Sequence, residues 1–203
     1  MSEYKYEYRQ SVVPVTINDN QDEKRMIIEG KAISFNSPTV LFEENGIEYK
    51  EVISERALDN TDMKDVLLKK NHDQKGETLA RTRNKSLELE IRNDGLYFKA
   101  VLPNTQFGRD TYENIKSGLT PDMSFGFLVE NEHYDRDTYT RSIDSIKYIR
   151  EISICDIGAY PDCYVQARDY ISAQEEIIKQ KEEAEKKAEY EQRKKELILR
   201  TYF

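Results

Sequence analysis

Residues 87 to 101 read Leu87-Glu88-Leu89-Glu90-Ile91-Arg92, then Asn93-Asp94-Gly95, then Leu96-Tyr97-Phe98-Lys99-Ala100-Val101. Apolar and charged side chains alternate strictly through the first six, the period-two signature of a strand with one buried face. Asn93-Asp94-Gly95 supplies turn chemistry, and Leu96 to Val101 returns as the hairpin partner. Upstream, Met26 to Phe35 and Gly46 to Ile53 read as strands, and Ser54 with Glu55 opens a short helix running to about Asn60. Val66-Leu67-Leu68 forms a buried strand that runs into Asn71-His72-Asp73. Downstream, Phe107 to Ser117 is amphipathic, with Phe107, Tyr112 and Ile115 on one face and Gly118 as its stop. Met123, Phe125, Phe127 and Val129 alternate as a further strand; Asn131 to Tyr139 reads as loop, and Ile143 to Ile154 continues the sheet. Gly158-Ala159-Tyr160-Pro161 closes the body. About seven strands and two helices predict a mostly antiparallel sheet or barrel, followed by a helical tail.

The chain has 203 residues, 31 basic against 39 acidic, for a formal net charge of -8. Fourteen Tyr and seven Phe argue for a folded core despite a charged fraction of 34%. The stretch Gln174–Arg200 carries eight Glu and eight Lys or Arg and is neutral, so the body holds 31 acidic against 23 basic residues. A body of that sign lacks the basic footprint of a nucleic-acid binder. No apolar run approaches the roughly 20 residues that span a bilayer, and Met1-Ser2-Glu3-Tyr4-Lys5 begins no apolar leader segment. Cys155 and Cys163 are too few for a disulfide framework and lack zinc spacing, which predicts a reducing cytoplasm. Two distant histidines without an acidic cluster argue against a metal site, and no cofactor is expected.

Within the tail, six glutamates stand four residues before a basic partner: Glu175/Lys179, Glu182/Lys186, Glu183/Lys187, Glu189/Arg193, Glu191/Lys195 and Glu196/Arg200. Each pair adds about 0.2–0.5 kcal/mol to an isolated helix. The apolar positions sustain no heptad seam, so a solvated single helix is expected rather than a coiled coil. The organisation is therefore an irregular polar arm over 1–25, a body over 26–167 and a charged helical tail over 168–203.

His72 and His133 are the only histidines. With strand alternation kept from Val66, His72 shares a side with Val66 and Leu68, at the point where sheet passes to loop. In Asp122-Met123-Ser124-Phe125-Gly126-Phe127, the large apolar groups point one way while Ser124 and Gly126 point the other, leaving room above a hydroxyl. Close packing of another element is the commoner explanation of a Ser-x-Gly pair in a strand. A serine nucleophile needs a base within hydrogen-bond reach, usually a histidine oriented by a third group. Glu151, Asp156 and His133 are candidates for that third group. Glu151 shares a side with Ile149 and Ser153, where a carboxylate must be paired or hydrogen-bonded; a structural ion pair would satisfy it too.

Asn71-His72-Asp73, Asp94-Gly95-Leu96, Met123-Ser124-Phe125-Gly126-Phe127, Arg150-Glu151-Ile152-Ser153 and Ala159-Tyr160-Pro161, in this order, resemble the prohead proteases of tailed bacteriophages. This is the HK97-type maturation protease family, similar in fold to the herpesvirus assembly protease. Gly30-Lys31-Ala32-Ile33-Ser34-Phe35 and the segment from Glu51 to Ala57 fit as well, and the resemblance covers about residues 26–167. It implies a serine endopeptidase on a closed or nearly closed, mainly antiparallel β-barrel with flanking helices. It implies Ser124 as nucleophile, His72 as general base and Glu151 as the residue orienting the imidazole, ahead of His133. Backbone amides and Arg150 are candidate oxyanion donors.

The resemblance further implies cleavage of scaffolding protein, or of a scaffolding segment of the major capsid protein, and of the enzyme itself. The setting would be the immature shell in the host bacterial cytoplasm. The expected partners are those capsid and scaffold proteins and other copies of the chain, with neither nucleic acid nor membrane. Two rival classes stand beside it. One is a protease-like assembly protein that no longer cuts and acts through its helical tail. The other is a peptide-binding β module that uses a strand edge.

Overall fold

The computed structural model describes residues 7–11, 16–17, 25–120, 122–156 and 175–194. The chain divides into two compact units, Met1–Tyr164 and Val165–Phe203. The first contains β1 (Glu7–Ser11), β2 (Thr16–Ile17), β3 (Ile27–Ser34), β4 (Thr39–Glu44), β5 (Ile47–Ile53), β6 (Leu67–Lys70), β7 (Ala80–Arg81), β8 (Leu87–Arg92), β9 (Gly95–Val101), helix α1 (Gln106–Lys116), β10 (Asp122–Asp135) and β11 (Thr140–Cys155).

The anticipated hairpin is β8–β9, with Leu87 opposite Ala100 and Arg92 opposite Gly95. Gly95 sits at φ +157, and a Cβ there would lie 2.0 Å from the Ile33 carbonyl oxygen, so the turn onto β3 accepts only glycine. Together with β2 and β3 this hairpin makes a four-stranded sheet, in the order β2-β3-β9-β8. The second sheet has seven strands, with the path β1-β10-β11-β5-β4 and with β6 and β7 added beside β11. Buried residues from both sheets form one core, including Ile28, Ile33 and Phe98 from the smaller and Leu68, Met123, Phe127 and Ile149 from the larger.

The chain is mainly β, as expected, but the closed barrel is not formed. Among the described residues each sheet ends on strands with no further neighbour, β1, β4 and β7 in one and β2 and β8 in the other. The larger sheet is also mixed: β11 runs parallel to β5 over Thr140–Ile143 and parallel to β6 over Glu151–Ile154. Parallel pairing needs crossovers between distant segments, which local alternation does not encode. The described residues hold eleven strands; β1, β2, β4 and β7 are additional to the seven expected. Two of these lie inside the stretch read as an arm. Asn131 to Tyr139 is not a loop, because β10 continues to Asp135 and only 136–139 turn. Residues 55–60 form successive turns in place of the short helix.

Helix α1 begins on Thr105, whose hydroxyl accepts from the Gly108 amide at 3.1 Å, and is followed by Gly118 at φ +75. In the second unit, residues 175–194 form helix α2, about 30 Å long at 1.5 Å per residue and exposed along almost all of its length. Four of the six Glu-to-base pairs lie wholly inside it. Gln174 and residues 195–200, Cys163 and the Gly158–Pro161 closure lie outside the described residues. No helix among the described residues is long and apolar enough to cross a membrane.

Candidate active site

Three adjacent strands of the larger sheet bring Ser124, His72 and Glu151 together. Strands β10 and β11 pair antiparallel, with Ser124 opposite Ser153 and Gly126 opposite Glu151. The ladder then skips to Phe127 opposite Ile149, leaving Arg150 as the extra residue of a β-bulge. A bulge bends its strand and re-aims the neighbouring side chain, here Glu151. On the other side of β11, β6 ends at Lys70, and the chain turns through Asn71 at φ 50 and His72 at φ 55. Both are left-handed conformations that a histidine seldom adopts. The alternation expected from Val66 therefore stops two residues short of His72. The turn, not the strand, aims the imidazole.

That turn is held on both sides. The Asn71 amide donates to the Ile154 carbonyl at 2.9 Å. The Asn71 side chain donates to Asp156 Oδ2 at 2.6 Å and accepts from the Asp156 backbone amide at 3.0 Å. Asp156 thus serves as a clamp on Asn71, with Lys70 Nζ 3.6 Å from its other oxygen. His133 is far from this chemistry: it lies on the exposed extension of β10, with Nδ1 2.6 Å from Asp144 Oδ2.

His72 Nε2 lies 2.7 Å from Ser124 Oγ, and His72 Nδ1 lies 2.6 Å from Glu151 Oε1. A carboxylate can only accept, so Nδ1 carries the hydrogen and Nε2 turns its lone pair towards Ser124 Oγ. Glu151 is fully buried. Its Oε2 accepts from Gln74 Nε2, and Ser153 Oγ donates to Oε1 at 3.5 Å. Gln74 also donates to the His72 carbonyl at 3.3 Å, so one amide braces acid and base together. Sequence reasoning missed Gln74. Its position two residues after the histidine, in a polar turn, was the available signal. Cys155, at the end of β11, offers no rival nucleophile: burial, with the charges of Asp156, Asp122 and Glu151 nearby, pushes its thiol up to about 12.

The space expected above Ser124 is taken by the chain itself. β1 lies along β10 as an antiparallel edge strand, with Gln10 opposite Ser124 and Arg9 opposite Phe125. Ser124 Oγ also lies 2.7 Å from the Arg9 carbonyl oxygen, to which it can donate in place of His72 Nε2. The single hydroxyl proton has two acceptors in reach, this carbonyl and His72 Nε2. From the same strand, the Arg9 guanidinium meets Glu51 through Nε to Oε1 at 2.5 Å and Nη2 to Oε2 at 2.8 Å. Arg141, 1% exposed, donates to Glu51 at 3.1 Å, to Glu7 at 2.6 and 2.8 Å, and to Glu132. Burial pushes the Glu7 carboxyl up, but Arg141 and Arg9 outweigh it and hold the group below the usual glutamate value. For Glu132 burial prevails over Arg141, and its carboxyl is raised.

Among solved structures, the chain resembles that of the bacteriophage T4 capsid assembly protease, gp21, with a TM-score of 0.52 and 14% sequence identity. The likeness covers 76% of this chain and 98% of that one, and at this identity it speaks to the fold. No curated protein matches the sequence. A family model described as caudovirus prohead serine protease matches residues 13–179. With most of the chain inside that match, the protein belongs to the caudovirus prohead serine protease family.

Proposed function

We propose that this chain is a serine endopeptidase with Ser124 as nucleophile, His72 as general base and Glu151 as the group that orients the imidazole. One observation carries the reading: an unbroken hydrogen-bonded line from Glu151 through His72 to Ser124, at 2.6 and 2.7 Å. His72 takes the proton from Ser124 Oγ as the oxygen attacks the scissile carbonyl, then returns it to the leaving amine. Glu151 keeps the imidazole in the tautomer with Nδ1–H and stabilises the imidazolium that forms. Family membership supports scaffold or capsid protein as the substrate, inside the maturing shell, with the enzyme's own chain as a further substrate. Purified protein followed by intact mass over time, with and without a serine-directed acylating reagent, tests the reading. Reagent-insensitive truncation, or none at all, would count against it.

Replacing Glu151 by glutamine leaves the size unchanged but lets Nδ1 accept instead of donate. Cleavage is expected to fall by about 10⁴-fold, as when the acid of a serine triad becomes its amide. His133→Ala, on the exposed hairpin extension, is the control and is expected to cut at the wild-type rate. Equal losses in the two variants, measured on the same peptide, would contradict the assignment.

The exposed α2 helix and its composition support a role in recruitment, with the tail addressing the enzyme to scaffold proteins in a growing shell. Removing residues 174–203 is expected to preserve peptidase activity while incorporation into purified procapsids drops to background. Incorporation at the full-length level, scored on sedimented particles, would refute that role.

A further inference from the structure

The segment resting on the nucleophile reports what the site accepts. β1 occupies the outer edge of β10, where an incoming chain would add by backbone pairing, and strand addition of this kind leaves specificity to alternate side chains. Glu7 and Arg9 are two residues apart and so project to the same side of β1. Both enter a buried cluster whose other members belong to the body: Glu51 on β5, Glu132 on β10 and Arg141 on β11. Two carboxylates and one guanidinium remain in that receptor when β1 is set aside. Glu7 and Arg9 leave that net charge unchanged, and each enters opposite a group of the other sign, Glu7 against Arg141 and Arg9 against Glu51. Arg9 meets Glu51 in the two-point geometry that matches a guanidinium fork to a carboxylate, with its Cζ 5.7 Å from the centre of the Phe127 ring. Its carbonyl is the one that Ser124 Oγ touches. β1 also lies upstream of residues 13–179, the span that matches the family.

We infer that Glu51, braced by Arg141, is the specificity determinant of this protease. It selects chains with an arginine at the residue whose carbonyl meets Ser124 and a carboxylate two residues before it. This rests on the serine endopeptidase reading above. In the step it describes, Ser124 Oγ bonds to the arginine carbonyl carbon and the bond to the following nitrogen breaks. The serine proton passes through His72 to the departing amine, and water then hydrolyses the ester to a carboxylate and restores the serine. A neutral residue in place of the arginine would remove both short contacts to the buried Glu51 carboxylate and leave it the 3.1 Å contact to Arg141. Sites built around a polar partner reject analogues that lack it. An acidic residue would add a fourth carboxylate to a cluster whose one remaining cation is Arg141.

The test uses full-length enzyme and peptides copied from residues 3–14, cut sites being mapped by mass spectrometry. Ser124→Ala runs as the blank. The expected cut falls between Arg9 and Gln10, both in the peptide and in the enzyme's own chain. Changing that arginine to glutamine is expected to lower kcat/KM by roughly 10³-fold or more. Lysine should be intermediate, because an ammonium lacks the planar fork. Glu51→Gln is expected to erase the arginine-over-glutamine preference. The substrate series needs only unaltered enzyme, so it stands whether or not that variant folds. Cleavage that depends on Ser124 but ignores the charge at this residue, or prefers an acid there, would overturn the inference and leave the endopeptidase reading intact. Absence of Ser124-dependent cleavage at any bond would overturn both.

Discussion

Ser124→Ala is expected to yield a folded protein that cuts neither scaffold nor itself. Removing a serine nucleophile costs about 10⁶ in kcat, because the members of a triad act as a unit. Stability should change far less. The side chain is 5% exposed, and its loss removes the contacts to His72 Nε2 and the Arg9 carbonyl, a net cost of about 1 kcal/mol per hydrogen bond. The two readouts separate chemistry from folding: intact mass followed over days, and a thermal melt by circular dichroism. A variant that melts like wild type and stays full length agrees with the assignment. Wild-type processing in that same variant would end it.

Arg141→Met carries the largest expected effect on the fold. The guanidinium is almost wholly buried and is shared by Glu7, Glu51 and Glu132. Without it three carboxylates surround Arg9 alone. Removing one partner from a buried ionic group typically costs about 3–5 kcal/mol, since the charges left behind stay desolvated. The pH dependence gives an independent signature. In the wild type the Glu7 carboxyl is held below the usual value of 4.5. Its contribution is therefore complete above 4.5 and is lost as pH falls through the lower folded value. In Arg141→Met burial and Arg9 still act on Glu7 but the pull of Arg141 is gone, so the carboxyl moves up from its wild-type position. The stability lost through Glu7 as pH is lowered from neutrality to below 4.5 is therefore smaller in the variant. Urea midpoints of both proteins across that interval check the claim, and parallel curves would contradict it.

Parts of this architecture were open to reading from residues alone. The β8–β9 hairpin announces itself because Leu87 and Leu89 turn inward while Glu88 and Glu90 face solvent, and Gly95 marks the turn; Ile91, in phase with the two leucines, is exposed at the strand's end. The first half of β10 declares itself through Met123, Phe125 and Phe127, all buried. β1 stayed hidden for a physical reason: Glu7 and Arg9 are held by charge pairing, and no apolar period records that. The outer reach of the β10–β11 hairpin stayed hidden as well, because its inward positions are the charged Glu132 and Arg141, which no apolar alternation marks. The grouping of Ser124, His72 and Glu151 was suggested by the family likeness; alternation alone would have misaimed His72, whose direction is set by two left-handed residues. Gln74 and the Asn71–Asp156 clamp depend on the return of β11 beside β6, a parallel contact between segments some 80 residues apart that no local pattern reports.

The edge position of β1 also sets a threshold for any rival. A strand carried on the same chain as the edge it pairs with competes as an intramolecular partner, at an effective concentration that can reach about the millimolar range. On the reading of β1 as an occupant of the substrate edge, a dilute free peptide would seldom displace it, and dense packing of substrates within a confined volume would narrow that gap.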